Sequence, residues 1–171
     1  PAKDDFSAAM MVEERDHMLE SFEYPSASGM VAELYAFSWH YADVVLRPDM
    51  LNLARLIIGE AQRLPDIGRA YQASGPDRVL AGMIAYLERQ GAAGRLVFDD
   101  AELAAEDLWG LILSAPRNRA LHIPDAVPDR TTIERYIRNG LRVFLRAYST
   151  APDKDLAALS SLTPPPATET E

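Results

Sequence analysis

Three histidines, a spread of carboxylates and no cysteine make up the stock of acid–base and metal-binding side chains in this sequence. Glu13, Glu14 and His17 stand together near the start, and His40 follows. Glu14-x-x-His17 places a carboxylate and an imidazole on one face of a helix, the unit of carboxylate-bridged di-metal bundles. Such a site needs that unit twice, plus two further glutamates. Neither His40 nor His122 has a glutamate three residues before it, so no metal site is expected. A helical-bundle enzyme using Glu13, Glu14, His17 or His40 as acid/base groups is the alternative this spacing leaves open. There is no cysteine nucleophile, no G-x-S-x-G elbow, no phosphate-cradling glycine loop and no H-E-x-x-H. The reading is a non-enzyme with no catalytic residues and no cofactor.

Composition narrows the class further. With 171 residues, 48% of them hydrophobic and 25% charged, the chain can bury one core of ordinary size. The lack of cysteine removes disulfide frameworks and thiolate metal sites and suits a reducing compartment. No run approaches the ~20 apolar residues of a transmembrane helix, and no signal peptide opens the chain; a cytoplasmic protein with no membrane partner is expected. Seventeen basic against 26 acidic residues give a formal net charge of −9. Nucleic-acid affinity comes largely from phosphate neutralisation by clustered Lys and Arg, so these residues should not bind DNA themselves.

The elements that would position any site are helical nearly throughout. Apolar residues recur at helical spacing over 3–22, then over 28–46, where Val31, Leu34, Tyr35, Phe37, Tyr41 and Val44 occupy two sides, as in a sandwiched helix. Pro48 suits a helix's first turn and opens a stripe through Met50, Leu53, Ile57 and Ala61 that stops at Pro65. A short helix over 65–73 follows, then one carrying Val79, Leu80, Met83, Ile84 and Leu87 that Gly91 and Gly94 close. Asp99 and Asp100 provide a cap for a helix from Ala101. Pro116 lacks a backbone donor and clashes with the preceding turn, so that helix is expected to kink or end near Ser114, with Arg117 to Leu121 continuing at an angle if it kinks. The last helix, over 131–148, keeps Ile133, Ile137, Gly140, Leu141, Phe144 and Tyr148 in regular order. The fold class is all-α. Residues 151–171, rich in Pro, Thr and Glu, are expected to be a mostly disordered tail after a single domain over 1–150.

Four blocks carry a resemblance. RLIIGEAQRLPDIGRAYQASGP (55–76) is the most specific, followed in order by GRLVFDDAELAAEDLWGLI (94–112), SAPRNRAL (114–121) and IERYIRNGLRVFLRAY (133–148). Together they resemble the C-terminal regulatory domain of TetR-type transcriptional repressors, in the AefR-like subgroup. Lys3, Asp4 and Phe6 of the opening PAKDDFSAAM match the second half of the family's Phe-x-x-Lys-(Asp/Glu)-x-(Leu/Phe) junction signature. That places Pro1 just past the helix-turn-helix, which these residues do not contain; a fragment of a longer protein is expected.

The resemblance implies an antiparallel helical bundle that binds a small apolar or aromatic effector, forms a homodimer, and meets DNA only through that helix-turn-helix. It implies a pocket between the first helix and those after it, for which Met10, His17, Phe37, His40, Tyr41, Met83 and Trp109 have suitable chemistry. It also implies that the last two helices pair across a two-fold axis. Leu111, Ile133, Ile137, Gly140, Leu141 and Phe144 are the candidate interface, with Gly140 admitting a partner helix and Arg135, Arg138, Arg142 and Arg146 edging the apolar face. The bland alternatives are ordinary core packing for the aromatic and methionine side chains and a solvated face for the arginines. A dimerisation module with no pocket is a third reading.

Overall fold

Prolines set the starts of four helices. In the computed structural model, which describes residues 29–166, Pro48, Pro65, Pro76 and Pro152 each occupy a helix's first turn. The missing N–H is no loss there, and the fixed φ is already helical. The described elements are α1 (Met30–Val45), α2 (Pro48–Glu60), α3 (Pro65–Ser74), α4 (Pro76–Ala92), α5 (Ala101–His122), α6 (Arg130–Tyr148) and α7 (Pro152–Ser161). The helix expected over 3–22 lies outside the described residues.

Side-chain caps hold the two longest helices. Asp100 accepts from the backbone N–H groups of Glu102 and Leu103 at 2.9 and 3.1 Å, and Asp129 accepts from that of Thr132 at 2.7 Å, satisfying donors that a helix start leaves free. Helix α4 ends at Gly94, whose φ of 70° lies in the left-handed region. Arg95 N–H then reaches the Gln90 carbonyl (3.0 Å) and Gly94 N–H the Gly91 carbonyl (2.9 Å), the paired bonds of a Schellman stop.

Helix α1 runs through the centre. Leu34, Tyr35, Phe37, Trp39, Tyr41, Ala42 and Val44 are all buried, on every side of it. Helices α5 and α6 form the most extensive pair. Their closest approach is at Gly140, where an added Cβ would lie 2.6 Å from the Leu111 carbonyl oxygen. Between α4 and α5, Leu96 bridges to Ser149, and Val97 N–H bonds to the Tyr148 carbonyl at 2.8 Å, fixing that loop to the end of α6.

Three sequence expectations are corrected. Helix α5 does not end near Ser114: it continues through Pro116 to His122. Its buried face (Leu108, Ile112, Leu113, Pro116, Ala120) continues past the proline, so packing outweighs one lost backbone bond. Residues 151–171 do not begin as a tail, because Pro152–Ser161 is helical. Leu159 is buried, and Arg138 donates to the Leu159 and Leu162 carbonyls at 2.8 and 2.6 Å, tying α7 to α6. The candidate interface set is the third. Ile133, Ile137, Gly140, Leu141 and Phe144 are buried inside one chain, and Leu111 is partly buried against the same core. The helix that Gly140 admits is the chain's own α5. Arg138 also leaves the arginine stripe, turning inward to Glu134 and Tyr35.

Candidate functional site

Opposite its contact with α6, helix α5 faces a hollow. Glu106, Trp109, Gly110, Ser114, Arg117, Asn118 and Leu121 follow one another at helical spacing and line a cavity of about 680 Å³. Helix α1 closes one wall with Tyr41, Val44 and Val45. Tyr71 and Gln72 come from the end of α3, and Gly75, Pro76, Asp77, Val79 and Leu80 from the turn into α4. The two proline-started turns, before α2 and before α4, are what bring these segments around the cavity. No side chain of α3 is buried, so that wall is held only at its edges.

The most ordered part of the wall is aromatic. Phe37 stacks on Tyr41 with centroids 6.1 Å apart and planes 16° apart, and Trp109 meets Tyr41 edge-on at 5.5 Å and 88°. The Trp109 indole N–H donates to the Tyr41 hydroxyl oxygen. Burial pushes the Tyr41 pKa up, against the opposing pull of the Arg117 charge and the Trp109 hydrogen bond, so the phenol is neutral at physiological pH. Arg117 is partly buried; its Nε is shielded from solvent and has no hydrogen-bond partner. The remaining lining is mostly aliphatic, a chemistry suited to small-molecule sites.

Of the seven candidate pocket residues, Tyr41 and Trp109 line this cavity. Phe37 lies behind Tyr41, Met83 is fully buried in the core, and His40 is partly buried and not part of the lining. Met10 and His17 lie outside the described residues, as do Glu13 and Glu14. Among the described residues, no group of three or more His, Asp or Glu side chains is placed to hold a metal ion.

Sequence reasoning did not pick out Arg117, Asn118, Ser114 or Tyr71. The signal was present on α5 as a second stripe, displaced from Leu108 and Ile112 and mixing an aromatic, a glycine and polar side chains. A helix packed on both sides would not carry such a stripe, and a purely solvated face would not carry Trp109 and Leu121 in it.

Comparison with known proteins gives a consistent picture. The profile of the AefR-like transcriptional repressor C-terminal domain matches residues 32–150. A solved structure of a TetR-family transcriptional regulator from Mesorhizobium loti superposes with a TM-score of 0.75 at 25% identity, covering 84% of this chain and 70% of that one. The flavonoid-responsive regulator FrrA superposes with a TM-score of 0.68 at 26% identity, over 84% of this chain and 73% of its own. No match was found among curated protein sequences.

Proposed function

Since the chain belongs to the AefR-like C-terminal domain family of TetR-type transcriptional repressors, we propose that its cavity holds a small apolar or aromatic effector whose occupancy controls DNA binding. The observation that carries this is the cavity itself. At about 680 Å³ it falls within the ~300–1,000 Å³ range of small-molecule sites, and the Tyr41–Trp109 pair and Arg117, the one basic side chain in the lining among the described residues, form part of its wall. The flavonoid response of FrrA, a structural relative, favours a planar aromatic effector.

An effector seated there touches α1, α4 and α5 together, so it can favour one arrangement of α1 against the others. It can shift that equilibrium only by its difference in affinity for the two states. DNA is read by a helix-turn-helix that these residues do not supply; their net charge of −9 disfavours direct phosphate binding. In a homodimer two such readers meet half-sites ~34–36 Å apart, and a few ångströms of movement would mismatch them. Such a regulator would act in the cytoplasm. Among the described residues no helix is long and apolar enough to cross a membrane.

For the homodimer we assign the outer side of the α5/α6 pair. Leu103 on α5 and Val143 on α6 are 58% and 41% exposed, with Arg142 and Arg146 exposed beside Val143. This replaces the buried set named from sequence. Light scattering should give a dimer for the chain and a monomer for the double variant Leu103→Glu, Val143→Glu; an unchanged mass would move the interface elsewhere.

Thermal-shift screening against planar aromatic and apolar metabolites tests the effector. A ligand present at a hundredfold its Kd stabilises the folded state by about 2.7 kcal/mol, a shift of roughly 5–10 °C for a domain of this size. Trp109→Ala should abolish the shift. A panel with no stabilising compound would overturn the effector site.

A further inference from the structure

The cavity wall contains an arginine whose Nε no described residue satisfies. Arg117 is the only basic residue lining the cavity among the described residues. Its Nε is buried without a hydrogen-bond partner. The two acids in the lining, Asp77 and Glu106, are exposed, and neither accepts from Nε; with Nε shut off from solvent, the guanidinium meets a ligand through its terminal nitrogens. A buried donor without an acceptor is a standing cost, and a charged one is relieved best by an ionised acceptor.

Tyr41 supplies a second donor beside it. Its hydroxyl oxygen already accepts from the Trp109 indole, which leaves the hydroxyl hydrogen to donate elsewhere. Burial keeps the phenol protonated. Tyr41 and Arg117 both line the cavity, and the Arg117 charge draws the Tyr41 pKa down against the effect of burial. Around them Val44, Leu80 and Trp109 offer apolar and aromatic surface.

We infer that Arg117 and Tyr41 together form the recognition point for an ionised oxygen, and that the effector is an aromatic acid whose ring packs against Trp109. This rests on the effector reading above and goes further by fixing the charge and the polar end of the ligand.

Naphthoate and naphthamide test it, because they share a ring and differ in the charge of the group presented to Arg117. Binding is measured by titration calorimetry on the full chain and on the variants Arg117→Gln and Tyr41→Phe. The chain's net charge of −9 would disfavour an anion held only by diffuse attraction, so a preference for naphthoate reports a local donor. The expected result is naphthoate tighter than naphthamide by about tenfold or more. Arg117→Gln should bring the two within about twofold while leaving naphthamide unchanged, which also certifies that the variant is folded; Tyr41→Phe should weaken both probes. If naphthamide binds as well as naphthoate, or the preference survives Arg117→Gln, the donor pair is not a recognition point and the effector site stands without it. If neither probe binds at millimolar concentration, the aromatic-acid assignment falls, and the effector reading stands or falls with the thermal-shift panel.

Discussion

The two long faces of α5 are built to opposite ends. One presses Ala104, Ala105, Leu108 and Ile112 into the core, beside a crossing with α6 so close that the Gly140 position has no room for a methyl. The other carries Trp109, Gly110, Ser114 and Arg117 around a cavity, and a Cβ added at Gly110 would meet nothing within 4 Å. The backbone is the same; the packing density differs. Free energy of folding is therefore concentrated on the α6 side, and the cavity side is free to vary its contacts with what occupies it.

Truncating a large side chain on each face breaks that contrast most sharply. Phe144 is fully buried in the core, and Phe144→Ala should cost about 3–5 kcal/mol. Trp109→Ala removes a comparable ring that borders empty space on one side, and should cost only about 1–2 kcal/mol while abolishing effector-dependent stabilisation. Denaturant melts of both variants decide it. Equal losses would mean the cavity wall is core like the rest.

The glycines give a smaller effect with opposite signs. Gly140→Ala would place a methyl 2.6 Å from the Leu111 carbonyl oxygen, so the backbones must separate, at about 1–3 kcal/mol. Gly110→Ala meets no such obstacle and gains helix propensity, stabilising by up to about 1 kcal/mol. Loss at both positions would show that the α5 surface around Gly110 is covered in solution.

What could be read from the sequence follows the same division. The starts at Pro48, Pro65 and Pro76, the Asp100 cap and the Gly94 stop depend on local chemistry and were legible. So was the buried face of α6, because its stripe is unbroken. What covers a buried stripe is not local information. Periodicity marked Ile137, Gly140 and Phe144 as covered but could not say that α5 of the same chain does it, so they read equally well as a partner's contact. Pro116 misled for the same reason: the local clash was visible, the packing that carries α5 past it was not. Residues 152–161 hid a helix because only the short run Leu156, Ala157, Ala158, Leu159 interrupts a polar composition, and it is Arg138, a residue of another helix, that docks it. Tyr41 and Trp109 were legible as candidate ligand contacts by type. Arg117 was not, because an arginine on a helix is ordinarily solvated and only the walls around it reveal a buried Nε.

The smallest test concerns protons, and it too separates the two sides. On the cavity side Tyr41 stays neutral because burial raises its pKa, so its contribution is constant below the ordinary tyrosine range. It is lost only as pH rises above about 10, where the unfolded chain's phenol ionises first. On the packed side the core is apolar and the sensitive groups are at the helix ends. Asp129 has its carboxyl held below the usual range by the hydrogen bonds it accepts from Thr132. A depressed carboxyl pKa means stability that is present above the unfolded value of about 4 and disappears as pH falls through the folded value. Asp129→Asn keeps an N-cap acceptor without the titration, so its melting temperature should fall less than the parent's between roughly pH 5 and pH 2. Identical acid limbs would mean that the α6 cap contributes through its geometry alone. The pH dependence of folding would then have to come from carboxylates elsewhere on the chain.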